Sequence, residues 1–185
     1  GSDAFARMDD DALVEAARHD REAFGALYDR YFDPIYGYIA RRTNDAAQAE
    51  DIAAMVWERA LKSIERYEVR GVPFAAWLYR IAGNQLANHR RHERILRFIP
   101  LLPSHGTPGR GHEDEDEHAV VRTALEALSE ADREILSLCY FTGLTPPEIA
   151  DVLDCSVAAV HKRLHRARIR LRRRLEEDSR VVVPH

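Results

Sequence analysis

The sequence predicts an all-α protein made of two small helical domains joined by a flexible linker, with a helix-turn-helix in the C-terminal domain. Apolar residues recur at helical spacing through both halves, and Ser, Thr, Asp and Pro stand where helices would begin. A stretch rich in Pro, Gly and acidic residues separates the halves. These observations place the N-terminal domain at residues 3–94, the linker at 95–118 and the C-terminal domain at 119–178.

Composition excludes several classes of protein. The chain has 185 residues, 45% of them hydrophobic, which is enough for one medium domain or two small ones. No apolar run approaches the roughly 18 residues that a membrane span requires, and no signal peptide opens the chain. We therefore expect a cytoplasmic protein without membrane insertion.

Motifs for catalysis are absent from the sequence. It contains no P-loop, no HExxH and no paired-glycine fingerprint. The histidines lack ligand spacing, and Cys139 and Cys155 match neither a CxxC nor a Cys/His metal pattern. We expect no enzyme activity, no cofactor, no metal site and two reduced, structural cysteines.

The first helices belong to a small bundle. Apolar residues recur in one burst from Leu13 and a second from Phe24, and Pro34 is expected to open a third helix. Five aromatic residues at this spacing could form a nucleic-acid surface, but core packing is favoured. They are Tyr28, Tyr31, Phe32, Tyr36 and Tyr38.

The next helix, expected over residues 46–67, has a core stripe and a charged outer side. The stripe contains Ile52, Met55, Val56, Ala60, Ile64 and Tyr67. Trp57 and Leu61, four residues apart, widen the apolar strip toward its polar edge. Such a margin suits docking of another protein, but the pattern alone favours a broad core face.

A further helix is expected over residues 73–93, with Pro73 in its first turn. Its predicted buried side carries Phe74, Leu78, Ile81, Ala82 and Leu86. A second strip combines an aromatic ring with amides and guanidinium groups, which together suit single-stranded DNA. That strip is formed by Trp77, Arg80, Asn84, Asn88 and Arg91. A solvated polar face with Trp77 half-buried at its rim is an equal alternative.

Composition changes after Ile95. Residues 103–117 contain three glycines, two prolines and the acidic run Glu113–Glu117, which indicates a flexible, self-repelling linker. A last bundle is expected from Ala119, where Ser129 caps a helix that Gly143 ends.

Two capped helices with a short turn follow. Thr145 and Glu148 form the pattern of a capping box, Asp154 and Cys155 break the helix, and Ser156 caps the second helix. The predicted buried side of this second helix carries Val157, Val160, Leu164, Ala167, Leu171 and Leu175. The opposite side carries Ala158, Ala159, Lys162, His165, Arg166, Arg170 and Arg173.

Residues 156–175 contain no acidic residue. Small side chains followed by basic ones are typical of a recognition helix in a major groove, although a solvated Arg-rich helix is the alternative. The whole chain has a net charge of −4. This balance weakens attraction to phosphates, so we expect another component to bring the protein to DNA.

Two segments resemble the sigma-70 family, in particular its compact extracytoplasmic-function (ECF) group. The segments AEDIAAMVWERAL and FAAWLYRIAGNQLANHRR resemble region two of the family. The segment LSEADREILSLCYFTGLTPPEIADVLDCSVAAVHKRLHRARIRLRRRL resembles region four. The ordered pair joined by a short linker is specific to this family.

The resemblance implies a sigma factor that binds core RNA polymerase and promoter DNA and is controlled by an anti-sigma factor. The implied polymerase-binding residues are Asp51, Trp57, Arg59 and Leu61. The implied minus-10 contacts are the strip from Trp77 to Arg91, together with the loop at residues 67–73. The implied minus-35 contacts are Ser156, Ala158, Ala159, His161, Lys162, Arg163, His165 and Arg166.

The recognition helix departs from many relatives. Ala159 lacks a hydroxyl group that could hold a phosphate, and Lys162 adds charge where relatives often have a small side chain. Arg163 and Arg168 point toward the flanks and are expected to touch phosphates, whereas Arg166 projects outward.

Two other functions remain open from the residues alone. One is an autonomous helix-turn-helix regulator whose first domain senses a ligand or dimerises. The other is a protein-binding module whose basic helix contacts an acidic partner.

Overall fold

A computed structural model of the chain describes residues 2–43, 45–69, 71–97 and 123–181. These residues form helices and connecting turns without a β-strand, which confirms the predicted fold class. The α-helices are α1 (Ser2–Ala6), α2 (Asp10–Ala17), α3 (Arg21–Ala40), α4 (Ala46–Ser63), α5 (Phe74–Arg97), α6 (Glu130–Phe141), α7 (Pro146–Leu153) and α8 (Val157–Val181). A 3₁₀ turn, Ile64–Arg66, follows α4, and residues 123–126 are also helical.

The chain divides into two compact units. The N-terminal unit contains α1 to α5, and the C-terminal unit contains α6, α8 and most of α7. Helix α5 extends to Arg97, so the first three residues of the predicted linker are helical. The rest of that linker, with its acidic run, and the predicted bundle start at residues 119–122 lie outside the described residues.

Helix α3 is the centre of the N-terminal unit, where it packs against α1, α2, α4 and α5. Asp9, Asp20 and Asp45 begin α2, α3 and α4, and each side chain accepts a hydrogen bond from a backbone N–H of the first turn. The largest fully buried side chains of this unit are Leu13, Leu27, Ile35, Tyr38, Ile39, Ile52, Ile64, Leu78 and Leu86.

Pro34 lies inside α3, so the prediction that it opens a separate helix was wrong. The side chain of Pro34 is exposed, while Leu27, Ile35 and Tyr38 are buried on both sides of it along the helix. The free energy gained by burying these side chains in one core therefore outweighs the loss of one helical hydrogen bond at Pro34. The helix continues through the proline for this reason.

The C-terminal unit follows its predicted caps closely. The hydroxyl groups of Ser129 and Ser156 accept hydrogen bonds from the N–H groups of Asp132 and Ala159 at 3.2 and 3.1 Å. Gly143, with φ of 70°, follows α6. Helix α6 packs against α8.

The turn between α7 and α8 has the geometry of a helix-turn-helix. The Glu148 carboxylate accepts from the Thr145 N–H at 2.6 Å, which is one of the two hydrogen bonds of the predicted capping box, and the Thr145 hydroxyl group donates to the same carboxylate at 2.8 Å. Asp154 has φ of 50°, and the next N–H, of Cys155, donates to the Ala150 carbonyl at 3.0 Å. This is a Schellman-type helix end with aspartate where glycine is usual, and it turns the chain sharply into α8.

Some residues of the predicted core faces are partly exposed. Met55 and Val157 are 39% and 38% exposed. Among the five aromatic residues of α3, Tyr38 is fully buried, whereas Tyr28 is 38% exposed and the others are half-buried. The core prediction therefore holds for Tyr38 and only in part for the rest.

Alkaline pH is expected to unfold the N-terminal unit. Burial raises the pKa of Tyr31, Tyr67 and Tyr79, and a hydrogen bond to Asp10 adds to the effect of burial on Tyr31. Because each folded-state pKa is raised, the unfolded chain ionises first once the pH passes 10.0, the ordinary value. We expect the free energy of unfolding to be insensitive to these groups below that pH and to fall above it.

Tyrosinate absorbance and helical circular dichroism, recorded together during an alkaline titration, test this prediction. All seven tyrosines ionising near pH 10 while the helical signal stays unchanged would contradict it.

Candidate polymerase and promoter interfaces

Trp57 is a core residue, as the broad core face favoured by the sequence pattern predicts, and it does not form part of an exposed docking margin. The residue is only 6% exposed. Its ring lies against Phe24, with centroids 6.2 Å apart, and against Tyr28, with centroids 4.8 Å apart. Trp57 therefore joins α4 to α3, because the aromatic side chains of α3 reach over the edge of α4 and cover it.

The outer side of α4 is exposed and charged. Asp51, Arg59 and Leu61 are all exposed, with Leu61 at 48%. Glu58 and Lys62 form an ion pair on the same side, and this pairing lowers the pKa of the Glu58 carboxyl. Three of the four residues expected to bind polymerase thus lie on an accessible helical surface, while Trp57 lies beneath it.

The polar strip of α5 divides into an inner and an outer part. Asn84, Asn88 and Arg91 are exposed, whereas Trp77 and Arg80 are half-buried. The five residues predicted for the core side of this helix, from Phe74 to Leu86, are all buried. Helical periodicity therefore assigned the two sides of α5 correctly, and it leaves two amides and a guanidinium group open to solvent.

The Trp77 ring is part of an aromatic cluster. Its centroid lies 5.0 Å from that of Tyr67 and 5.4 Å from that of Phe74. Tyr31 packs against Phe74 from α3 at 5.5 Å. The cluster fixes the orientation of Trp77 and limits how much of the ring a nucleic-acid base could cover.

The first three turns of α8 present the predicted recognition surface. His161, Lys162, Arg163, His165 and Arg166 are exposed. Within the described part of the chain, no hydrogen bond or ion pair engages any of these five side chains. Val160 and Ala167 are buried against the unit, so the exposed cationic groups face outward.

The residues at the start of α8 have different environments. Ala158 is exposed and Ala159 is half-buried. Ser156 is exposed, and its hydroxyl group accepts the capping hydrogen bond from the Ala159 N–H. Ser156 therefore stabilises the helix start, and the small alanines leave it open to close approach.

Farther along α8, two arginines have partners on α6. Arg170 Nη1 lies 2.8 and 2.9 Å from the two carboxylate oxygens of Asp132, whose side chain is only 8% exposed. Arg168 Nε donates to the Tyr140 hydroxyl at 2.5 Å, and its guanidinium group lies over the Tyr140 ring at 5.4 Å. The sequence pattern had assigned Arg170 to the outward side and Arg168 to phosphates, and it missed both partners.

Both cysteines lie within the residues that the structure describes. Cys139 and Cys155 are free and half-buried, and burial raises the pKa of the Cys139 thiol, which lowers its thiolate fraction. Within residues 2–43, 45–69, 71–97 and 123–181, no group of three His, Cys, Asp or Glu side chains is placed to hold a metal ion. None of the helices in those ranges is long and apolar enough to cross a membrane.

Two family models match the chain and follow the division into two units. Sigma-70 region 2 matches residues 27–95, and sigma-70 region 4 matches residues 118–171. The first match contains α4 and nearly all of α5, and the second contains α7 and the first part of α8.

Curated relatives are ECF RNA polymerase sigma factors. SigL of Mycobacterium tuberculosis is 34% identical over 180 residues, which cover 94% of this chain and 97% of SigL. BldN of Streptomyces coelicolor is 32% identical over 176 residues, which cover 91% of this chain and 66% of BldN. The chain thus spans nearly all of SigL and about two thirds of BldN.

Solved structures share the fold. CnrH, solved in complex with the cytosolic domain of CnrY, has a TM-score of 0.71 and 28% identity, and the match covers 91% of this chain and 98% of CnrH. RpoE of Bartonella quintana, solved with the anti-sigma factor NepR, has a TM-score of 0.67 and 19% identity, covering 83% and 96% of the two chains. With its two region matches and a 34% identical relative of nearly equal length, the chain belongs to the ECF RNA polymerase sigma factors of the sigma-70 family.

Proposed function

We propose that the chain binds core RNA polymerase and directs promoter-specific initiation through three surfaces on its two units. The outer side of α4 binds polymerase through Asp51, Arg59 and Leu61. The exposed amides of α5 capture the non-template strand of the minus-10 element, and the start of α8 reads the minus-35 element. The chain acts in the cytoplasm, where polymerase and promoters are found, and contributes no catalytic site of its own.

The observation that carries this proposal is the contrast between the first turns and the middle of α8. Exposed cationic groups without a partner among the described residues occupy the first turns, while Arg168 and Arg170 bind α6. A helix fixed to its neighbour at its middle, with exposed basic side chains on its first turns, has the arrangement of a recognition helix in a major groove. A merely solvated helix would not need two arginines to fix it to its neighbour.

The strip on α5 supports a second contact with DNA. Asn84 and Asn88 lie one turn apart and are both exposed, with Arg91 following on the same side. Amides can hydrogen-bond the edges of unpaired bases, and arginine binds the phosphates between them. The net charge of −4 makes unaided DNA binding weak, so polymerase binding comes first.

We also propose control by an anti-sigma factor. RpoE of Bartonella quintana was solved with the anti-sigma factor NepR, and CnrH was solved with the cytosolic domain of CnrY. A partner of this kind would block transcription by covering one of the three proposed surfaces.

Run-off transcription with bacterial core RNA polymerase and a promoter library tests the main proposal. We expect promoter-dependent transcripts only when both the chain and the core enzyme are present, with products that share minus-35 and minus-10 elements. DNA binding that is sequence-specific without polymerase, together with no stimulated transcription, would instead favour an autonomous regulator.

Asn84→Ala is expected to impair promoter opening more than polymerase binding. The side chain is exposed on α5 and contributes nothing to the core, so its loss removes a hydrogen bond to an unpaired base worth about 0.5–1.5 kcal/mol. Permanganate footprinting measures opening, and fluorescence anisotropy with labelled chain measures affinity for the core enzyme.

Gln85→Ala is the matched control, because this neighbouring amide is half-buried and lies outside the strip. An unchanged yield of open complex for Asn84→Ala would remove Asn84 from the strand-capture surface.

A further inference from the structure

The loop between the 3₁₀ turn and α5 is closed by one side chain at its base. The hydroxyl group of Tyr67 donates to the Val72 carbonyl at 2.5 Å. Inside this closure, the Gly71 N–H donates to the Glu68 carbonyl at 3.2 Å. Tyr67 is only 5% exposed, so the ring that carries this hydroxyl group is buried, and the hydrogen bond itself is partly buried.

An arginine from another helix donates a hydrogen bond to the backbone of the same tyrosine. Arg18, at the end of α2, donates from Nη2 to the Tyr67 carbonyl at 2.5 Å. Its Nε also lies 3.4 Å from the exposed carboxylate of Glu15, an ion pair without a hydrogen bond. Two independent bonds, one to the backbone of Tyr67 and one from its side chain, thus fix the point where the loop begins.

The loop base is continuous with the strip on α5. The Tyr67 ring packs against Trp77 and Phe74, with centroids 5.0 and 5.6 Å away. Trp77 is the first residue of the strip, and Pro73 is the last residue of the loop. The Pro73 carbonyl accepts the first hydrogen bond of α5, from the Trp77 N–H at 3.0 Å. A change at Tyr67 would therefore alter the loop and the ring of Trp77 together.

We propose that Tyr67 and Arg18 are positioning residues that hold the two ends of the loop and the Trp77 ring in the geometry needed to capture the melted strand. This inference rests on the proposed function and adds two residues that do not themselves touch DNA. A preorganised surface loses less conformational entropy when it binds a strand. Without the hydrogen bonds to and from Tyr67, the Tyr67 and Trp77 rings and the Val72 backbone would have to be positioned during opening, which slows that step.

Tyr67→Phe tests the closure while keeping the ring contacts. We expect about a fivefold loss in the rate of open-complex formation, the factor that corresponds to one hydrogen bond of ordinary strength. Arg18→Met should have at least the same effect, and Arg18→Lys should restore part of the rate because the ammonium group can also donate to the Tyr67 carbonyl.

Three quantities are measured for each variant: the affinity for core polymerase, the thermal midpoint of unfolding, and the rate of opening on a duplex promoter carrying a fluorescent base analogue in the minus-10 element. The matched controls are Tyr36→Phe and Arg21→Gln, which change the same residue types elsewhere in the N-terminal unit. A slower opening rate in protein that keeps its affinity for core polymerase and is fully folded at the assay temperature supports the inference.

The outcomes separate the inference from the proposed function. If the unmodified chain opens no promoter with core polymerase, the proposed function fails. If it opens the promoter and Tyr67→Phe opens it equally fast, the positioning role is overturned. The same holds if the loss of polymerase binding and of folded protein accounts for the whole fall in the opening rate.

Discussion

Replacing Trp57 with alanine is expected to destabilise the N-terminal unit by about 3–5 kcal/mol, the usual cost of deleting a large aromatic side chain from a core. Trp57 is 6% exposed and its ring contacts Phe24 and Tyr28. Its loss leaves a cavity between α3 and α4 that these rings can fill only in part. Urea unfolding followed by far-ultraviolet circular dichroism measures the change.

Leu61 provides the matched comparison, because it lies one turn farther along the same margin but is 48% exposed. Leu61→Ala should change the free energy of unfolding by no more than about 0.5 kcal/mol and should weaken binding to core polymerase. Trp57→Phe should cost less than Trp57→Ala because it keeps most of the packing. A Trp57→Ala variant that is as stable as the unmodified chain and defective only in polymerase binding would restore Trp57 as a direct docking residue.

The pair Trp57 and Leu61 shows where helical periodicity stops being informative. Residues four positions apart differ by about 40° around a helix. An aromatic side chain of a neighbouring helix is large enough to cover one of two residues that lie so close together. Tyr28 covers one of them and leaves the other open. The pattern could locate the margin of the apolar face, but the side chains of α3 decide which residue of that margin is buried.

Pro34 shows a related limit for helix boundaries. The sequence could not reveal that Leu27 and Ile35, on either side of the proline, bury against the same core. Local signals were reliable where a side chain bonds its own backbone, as Ser129, Ser156 and Asp45 do. They were unreliable where tertiary packing opposes a local preference.

Hydrogen bonds between residues far apart in the sequence were the main feature that the sequence pattern could not predict. Arg168 and Arg170 bind residues 28 and 38 positions earlier in the chain, and Arg18 binds a carbonyl 49 positions later. An arginine on a helical surface looks the same in sequence whether it binds DNA or a neighbouring helix. The structure identifies Arg168 and Arg170 as arginines that bind a neighbouring helix.

This assignment allows a specific prediction for α8. Arg166→Ala should cost about 1–3 kcal/mol in promoter binding by the holoenzyme and should relax the preference at one base pair of the minus-35 element. Arg166 is exposed, and among the described residues it has no hydrogen-bond or ion-pair partner. Its removal therefore takes away a contact with DNA and leaves the C-terminal unit folded.

Arg170→Ala is the matched control on the same helix. It deprives the buried Asp132 carboxylate of its partner, so it should lower the stability of the C-terminal unit and leave base preference unchanged in the folded fraction. Both variants are compared at one salt concentration on promoters carrying every single substitution in the minus-35 element. If Arg166→Ala weakens binding equally on all of them, Arg166 contacts a phosphate, and sequence reading rests with Lys162, His165 and the open alanines before them.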